Sequence, residues 1–239
     1  ALDRLLGLTV DLAPFAAMAA TDPLLRPLAA RLRGLKPARF PSVFEALVNA
    51  GACQQLSLTV GIHLLNRLVA DQGEAACDDP DGPRAFPKPE QIAALRPDDL
   101  KRHGFSASKA RTIIETAQAV LADELDLEGL QWLEDAAAIE RLTSLRGIGR
   151  WSAEYVLLRG LGRLNVFPGD DIGAHNKLRH LFGISTSLDY ETVHHLVGRW
   201  HPFAGIVYFH LLLDSLSRTG LVAQTYDSAK VVDGVSRLT

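Results

Sequence analysis

The clearest candidate for chemistry in the sequence is a Gly-Ile-Gly turn at residues 147–149, flanked by Arg146 and Arg150. One helix is predicted to end near Leu145, and a second to begin at Arg150. Glycine allows a tight turn and a close approach of the backbone, while Ile148 can insert into the core between the two helices. The free N–H groups of such a turn form an anion site at a helix start, suited to a DNA phosphate. Taken alone, the turn is also typical of an ordinary connector.

A second candidate is the acidic pair Asp170 and Asp171, which follows Pro168-Gly169 about twenty residues after the turn. Pro-Gly predicts a turn, and carboxylates at the start of the next helix are favoured by the helix dipole. Both acids can therefore be N-caps, and we predict that Asp170 is one. An ionised carboxylate can also stabilise positive charge in a transition state, which is the alternative for Asp171.

The charged residues are unevenly distributed, although the net charge is only −3. Residues 115–140 carry eight acids and no Lys or Arg, which is most simply a solvated outer face. Residues 141–180 carry only three acids, and their basic residues are Arg141, Arg146, Arg150, Arg159, Arg163, Lys177 and Arg179. This run can equally be solvated surface, but it coincides with the Gly-Ile-Gly turn. A local basic patch is what phosphate contact requires.

Nearly every periodic segment indicates a helix, and we predict an all-α protein of roughly ten helices. Ser42 is predicted to cap one helix, Ser106 another that runs to about Leu121, and Asp189 a third. Residues 71–89, rich in Asp, Gly and Pro, are predicted to form a loop. A last apolar helix is predicted over residues 204–216, followed by a weakly patterned polar tail.

The composition, 47% hydrophobic and 22% charged over 239 residues, is that of a folded globular protein with one large or two small domains. Cys53 and Cys77 form neither a disulfide framework nor a metal-type pair, and two thiols cannot hold a four-cysteine iron–sulfur cluster. The eight histidines show no ligand spacing. Neither a secretory signal nor a bilayer-spanning run is seen, so we expect a cytoplasmic protein without membrane contact.

Two segments carry a resemblance to a known family: residues 145–155, LRGIGRWSAEY, and residues 166–175, VFPGDDIGAH. Together they resemble the helix-hairpin-helix superfamily of DNA glycosylases, and most closely the AlkA-type 3-methyladenine glycosylases. The resemblance runs from about Phe40 to about Leu221 and includes Gln54-Gln55. It implies a base excision repair enzyme that flips an alkylated base out of double-stranded DNA, hydrolyses its N-glycosidic bond and leaves an abasic site.

The resemblance also implies an architecture of two helical subdomains with the active-site cleft between them. Residues 44–163 are expected to form one subdomain, with the helix-hairpin-helix at about 136–159. Residues 1–43 and 164–239 are expected to form the other, which carries the catalytic aspartate. Residues 1–40 are too short for the N-terminal β-domain that AlkA-type enzymes often have, so we expect that domain to be lacking. A monomer is expected.

For the cleft, the resemblance implies roles for three side chains. Asp171 is expected to be the catalytic carboxylate, which stabilises an oxocarbenium-like transition state or orients the attacking water. Trp151 and Tyr155 lie one turn apart on the same helical face and are expected to stack on the flipped base. Plain core packing is the alternative for both aromatic side chains.

Further residues are implicated outside the base pocket. Gln55 is expected to be the wedge that fills the gap left by the flipped base, whereas Gln54 can hydrogen-bond to neighbouring backbone. The residues expected to bind the DNA backbone are Arg146, Gly147, Gly149 and Arg150. The backbone carbonyls expected to hold a monovalent cation, Na⁺ or K⁺, are those of Thr143, Leu145 and Ile148. No side-chain metal site and no required cofactor are implied.

The residue at position 151 bears on the reaction type. Bifunctional lyases of this superfamily carry a Schiff-base lysine just before the Ser/Thr-Ala of the hairpin helix, and this chain has Trp151 there. We therefore expect a monofunctional enzyme that uses water. The alternatives are a helix-hairpin-helix protein that binds DNA without catalysis, and a glycosylase for another damaged base.

Overall fold

The computed structural model describes residues 2–79 and 82–218, and α-helices joined by loops make up this part of the chain. The helices are α1 (Leu2–Leu6), α2 (Ala13–Thr21), α3 (Leu25–Arg31), α4 (Val43–Cys53), α5 (Leu58–Gln72), α6 (Pro89–Ala93), α7 (Pro97–Arg102), α8 (Ala107–Leu121), α9 (Asp135–Thr143), α10 (Arg150–Val156), α11 (Ile172–Phe182), α12 (Tyr190–Gly198) and α13 (Ala204–Arg218). A 3₁₀ turn at Gly129–Trp132 precedes α9. The described residues contain no strand, only an isolated bridge between Ala75 and Arg84. The predicted all-α fold is confirmed.

Three predicted helix starts are confirmed by their caps. The side-chain oxygens of Ser42, Ser106 and Asp189 accept a hydrogen bond from the amide three residues on, at 3.1, 3.3 and 2.8 Å. The described part of the chain has more helices than the roughly ten predicted. Helices such as α1 and α7 are too short for an apolar period to be recognised in the sequence.

Among the described residues, the buried apolar side chains form two clusters. The first draws on α4, α5, α8, α9 and α10 and includes Leu47 and Ile113. The second draws on α2, α3, α11, α12 and α13 and surrounds Phe167 and Trp200. The predicted subdomain boundaries stay a prediction. Residues 219–239, which include the predicted polar tail, lie outside the described residues.

A π-helical turn at Leu157–Leu161, called the wide turn below, continues α10. Its carbonyl groups are reached from the N-terminal part of the chain. The Arg159 carbonyl accepts from the Phe40 amide at 2.8 Å, and the Gly160 carbonyl accepts from Arg4 and Arg39, both at 2.9 Å. The wide turn therefore ties the segment before α4 to the end of α10.

Within the described residues, no helix combines the length and apolar character needed to cross a bilayer.

Candidate active site

The hairpin consists of α9, the turn at residues 144–149 and α10. Ile148 is 4% exposed and packs in the first cluster, which confirms its predicted insertion into the core. Gly147 has a φ of +78°, and a Cβ added there would collide with Thr112 Oγ1 on α8. Only glycine meets both conditions. The second helix of the hairpin begins at Arg150, as predicted.

The four residues expected to contact the DNA backbone, Arg146, Gly147, Gly149 and Arg150, are all exposed. Arg146 has only a long ion pair with Glu115, at 3.8 Å. The guanidinium of Arg150 lies 4.0 Å from the centre of the Tyr190 ring. Other members of the basic run, namely Arg141, Arg163 and Arg179, donate to carbonyl groups of the protein. The cations at the turn are thus more available to a phosphate than these three.

The Gln54-Gln55 pair follows α4 directly. Gln54 Nε2 donates to the Gly147 carbonyl at 3.1 Å and to Ser152 Oγ at 2.5 Å, so Gln54 joins the end of α4 to the hairpin. Gln55 is exposed and has a φ of +54°. Lys109 Nζ donates to the Gln54 carbonyl at 2.6 Å and to the Ala52 carbonyl at 2.9 Å. The exposed Gln55 side chain therefore stands on a braced loop beside the hairpin.

Asp171 accepts hydrogen bonds from three elements. Its Oδ1 accepts from the Ala174 amide at 2.7 Å, which makes Asp171 the N-cap of α11. Its Oδ2 accepts from Trp151 Nε1 on α10 at 2.9 Å and from the Tyr208 hydroxyl on α13 at 2.9 Å. The structure thus brings the predicted carboxylate and one predicted aromatic residue into direct contact.

The prediction that Asp170 is an N-cap is wrong. Asp170 is exposed, and α11 begins one residue later than that prediction required, at Ile172. A cap must have its side chain within reach of the amides at the second and third helical positions, and Asp171 holds that place.

The Trp151 and Tyr155 rings stack on each other, with centroids 5.3 Å apart and planes 28° from parallel. Both side chains are partly buried, and the Tyr155 hydroxyl donates to Asn49 Oδ1 at 2.9 Å. Phe40 lies beyond Tyr155, with 6.2 Å between ring centroids. The aromatic surface is therefore continuous from the carboxylate of Asp171 to the segment before α4.

Two tyrosine hydroxyls at the site stay protonated. Burial raises the pKa of Tyr155 to about 12. Burial, and next the negative charge of Asp171, raise the pKa of Tyr208 well above its usual value. Because its hydroxyl keeps its proton, Tyr208 can donate a hydrogen bond to Asp171. The sequence analysis did not predict this role. The one available signal was a hydroxyl in an otherwise apolar segment.

Arg159 lies four residues after Tyr155, on the wide turn. Its guanidinium carbon is 4.8 Å from the Phe40 ring centre, 5.7 Å from that of Tyr155 and 5.2 Å from that of Phe209. Such distances allow cation–π attraction. The aromatic surface thus already holds one cation of the protein, which the sequence did not indicate.

A further missed residue is Glu154, which is 1% exposed. Its Oε2 accepts from the Gly169 amide at 2.8 Å, and its Oε1 accepts from the Tyr190 hydroxyl at 2.6 Å. The signal in the sequence was a single acid in the segment that forms α10. Glu154 connects α10, α12 and the residues that lead into Asp171.

The carbonyls implied as cation ligands, those of Thr143, Leu145 and Ile148, border the turn of the hairpin. The Leu145 carbonyl accepts from the Ile148 amide at 3.1 Å. Because a carbonyl oxygen has two lone pairs, this hydrogen bond leaves it able to face an ion. The monovalent-cation site at these three carbonyls stays a prediction. Among the described residues, no group of three His, Cys, Asp or Glu side chains could hold a metal.

Residues 51–202 match the HhH-GPD superfamily of base excision DNA repair proteins, and the chain belongs to this family.

Several proteins similar to this chain are named as 3-methyladenine DNA glycosylases. A DNA-3-methyladenine glycosylase of Bacillus subtilis is 31% identical over 201 residues, which are 84% of this chain and 66% of that protein. The structure of a 3-methyladenine DNA-glycosylase from Archaeoglobus fulgidus has a TM-score of 0.79 and 33% identity, covering 89% of this chain and 72% of that chain. The structure of the Schizosaccharomyces pombe 3-methyladenine DNA glycosylase Mag1 in complex with abasic DNA has a TM-score of 0.68 and 25% identity. The match covers 88% of this chain and 97% of that chain.

The chain spans only part of most curated relatives. The share covered ranges from 40% to 76% of their length, and it is below two thirds for six of the seven.

Proposed function

We propose that this protein is a monofunctional DNA glycosylase of base excision repair. Its substrates are alkylated bases in double-stranded DNA, such as 3-methyladenine and 7-methylguanine, and its product is an abasic site. The observation that carries the proposal is the Asp171 carboxylate, held at 2.9 Å by both Trp151 and Tyr208 beside the stacked Trp151–Tyr155 pair.

The proposed chemistry uses the charge of that carboxylate. Cleavage of an N-glycosidic bond builds positive charge on the sugar, and a fixed carboxylate beside the sugar lowers the barrier. Asp171 is suited to this because its donors hold it in place without neutralising it. Alkylated purines carry positive charge or a weakened bond, so they leave with little acid catalysis. The stacked Trp151 and Tyr155 rings can attract such a base through stacking and cation–π interaction.

Binding of DNA is assigned to the hairpin and the wedge. The exposed amides of the Gly-Ile-Gly turn, with Arg146 and Arg150, would contact the phosphates. Gln55 would fill the gap left by the flipped base. The carbonyls of Thr143, Leu145 and Ile148 would hold Na⁺ or K⁺, which would supply further positive charge toward a phosphate.

The monofunctional character is supported by Trp151, which stands where a lyase would need an amine nucleophile. Water would therefore be the nucleophile, and the DNA strand would be left intact. We further propose that the protein works as a monomer in the cytoplasm of a bacterial cell, associated with the nucleoid through DNA.

The test is base release from duplex DNA treated with a methylating agent, with products identified by chromatography. Asp171→Asn should lower the single-turnover rate about 10²–10³-fold, because it removes the charge beside the developing cation. Asparagine is also a good N-cap, so α11 should remain intact. Asp170→Asn is the matched control, since it removes a neighbouring exposed charge, and its rate should stay at the wild-type level.

Two other outcomes would replace the proposal. If neither protein releases a modified base but both bind duplex DNA, the chain is a DNA-binding protein without catalysis. If wild type releases deaminated or oxidised bases and not methylpurines, it is a glycosylase for another lesion.

A further inference from the structure

We propose that Glu154 is a positioning residue for Asp171, which it holds by clamping the backbone at Gly169. The inference rests on the proposed function, in which Asp171 is the catalytic carboxylate. Glu154 itself stays outside the set of groups that would touch DNA.

Glu154 is a buried carboxylate, and both of its oxygens accept hydrogen bonds. Its side chain is 2% exposed, and His194 is its nearest basic partner among the described residues, with Nε2 3.6 Å from Oε1. A buried carboxylate is costly unless its oxygens are well satisfied. Here one oxygen accepts from the Gly169 amide at 2.8 Å and the other from the Tyr190 hydroxyl at 2.6 Å. Both strong hydrogen bonds hold parts of the molecule that surround Asp171.

Gly169 is held on both sides. Its amide donates to Glu154, and its carbonyl lies 2.5 Å from His175 Nε2 on α11. A Cβ added to Gly169 would lie 2.7 Å from His194 Nε2 and 2.7 Å from Tyr190 Cε2. The backbone two residues before Asp171 is thus held by a hydrogen bond on each side and is closely packed against α12.

Glu154 shares a helix with one of the donors to Asp171. It lies on α10 three residues after Trp151, the residue that donates to Asp171 Oδ2 at 2.9 Å. The same helix therefore holds the Asp171 carboxylate directly and, through Glu154, the backbone that leads to it. Tyr190, the other donor to Glu154, is itself covered by the Arg150 guanidinium at 4.0 Å. Helix α10 therefore contributes to the placement of Asp171 in two ways, alongside the donors from α11 and α13.

The test separates the length of the Glu154 side chain from its charge. Glu154→Gln keeps the length and one acceptor for the Gly169 amide, while Tyr190 can reverse its hydroxyl to accept. Glu154→Asp keeps the charge but withdraws the carboxylate from Gly169 by one methylene group. Glu191→Asp, at an exposed position of α12, is the matched control for the same shortening.

The first measurement is the indole ¹H–¹⁵N resonance of Trp151, which reports its hydrogen bond to Asp171. The chain has three tryptophans, so Trp151→Phe assigns the signal. In Glu154→Asp, the Trp151 resonance should move toward its position in Asp171→Asn. In Glu154→Gln and Glu191→Asp it should stay near its wild-type position. This measurement needs no substrate and therefore holds even if the proposed function fails.

The second measurement is the single-turnover rate of base release, with the Kd for duplex DNA containing an abasic site. Glu154→Asp should lower the rate about 100-fold, the effect of a misplaced reacting group, with Kd unchanged. Glu154→Gln should lose less than about tenfold, since a neutral hydrogen bond replaces a charged one. Gly169→Ala, which pushes the same backbone against His194 and Tyr190, should reproduce the loss if Glu154→Asp does not fold.

Two results would overturn the proposal. One is a Trp151 resonance that stays at the wild-type position in both Glu154→Asp and Gly169→Ala. The other is a rate that falls as far in Glu154→Gln as in Glu154→Asp, because charge and not reach would then be what matters. If no variant, wild type included, releases a base while the Trp151 resonance moves as expected, the proposed function fails and the positioning role stands.

Discussion

Gln55, the candidate wedge, has an energetically unfavourable backbone conformation. Gln55 has a φ of +54°, a left-handed conformation that costs a residue with a Cβ about 1–2 kcal/mol. The loop keeps this conformation because Lys109 donates to the carbonyls of Ala52 and Gln54. Strain of this kind persists where the surroundings over-determine the backbone, often at functional sites.

Gln55→Gly is therefore expected to separate stability from activity. Removing the Cβ should raise the free energy of unfolding by about 1 kcal/mol, measured by urea denaturation. The single-turnover rate of base release should fall, because nothing fills the gap left by the flipped base. Gln55→Ala is the control, since it loses the side chain but keeps the strain and should slow release without gaining stability. Full activity of the glycine variant would exclude Gln55 as the wedge.

Other single residues show the limits of prediction from sequence. Asp171 and Trp151 belong to short motifs, so their proximity could be expected. Tyr208 could not, because its hydroxyl reaches Asp171 only through the packing of α13 against α11. Glu154 was equally hidden, since a lone acid in a helix does not reveal which face is buried. Asp170 was assigned the cap because adjacent acids leave the helix start uncertain by one residue.

At the scale of elements, the hairpin contains a pair of glycines with different physical requirements. Gly147 has a positive φ, and any Cβ there would collide with Thr112. Gly149 has a φ of −91°, and a Cβ added to it would meet nothing within 4 Å. The first glycine is therefore required by the conformation and packing of the turn, while the second leaves the space in front of it open for a phosphate of bound DNA.

This difference gives a matched pair of substitutions. Gly147→Ala should lower the free energy of unfolding by about 2 kcal/mol or more, from backbone strain and overpacking. Gly149→Ala should change it by less than about 0.5 kcal/mol, yet weaken duplex DNA binding, because a methyl group would stand between the turn amides and the phosphate. The measurements are urea denaturation and DNA titration at two salt concentrations. Unchanged DNA affinity in Gly149→Ala would remove the phosphate contact from this turn.

The ends of the helices could be predicted from the sequence more readily than the packing of the helices against one another. Caps such as Ser42 and Asp189 are local, because a side-chain oxygen and an amide three residues away suffice to define them. The start of α10 was set by the glycine turn. The stacking of α13 on α11, and the wide turn that continues α10, depend on contacts between distant segments and leave no local signature.

At the scale of the molecule, a buried carboxylate fastens the N-terminal helices to the end of α12. Asp22 is 9% exposed and accepts from Trp200 Nε1 at 2.8 Å, with Arg199 Nε at 3.2 Å. Burial opposes its ionisation, but the indole of Trp200, the amides of Leu24 and Leu25 and the charge of Arg199 together hold the pKa of Asp22 below its ordinary value of 3.8.

The lowered pKa predicts a pH dependence of stability. The contribution of Asp22 should be fully present above its ordinary pKa of 3.8 and be lost as the pH falls through the lower folded value. Asp22→Asn should therefore cost about 1–2 kcal/mol at pH 7, and the difference from wild type should shrink at pH 3. Urea denaturation at both pH values measures it, with the exposed Asp11→Asn as the control. A difference that does not depend on pH would contradict the ionised Asp22–Trp200 contact.

The wide turn also limits which deletions the chain can tolerate during evolution. A π-helical turn is equivalent to one residue inserted into an α-helix, and here the carbonyls of Arg159 and Gly160 accept hydrogen bonds from Phe40, Arg4 and Arg39. A later single-residue deletion would restore the regular helix, but it would also withdraw those carbonyls and release the segment that carries Phe40. The wide turn is therefore hard to remove, because its removal would detach the segment before α4 from the end of α10.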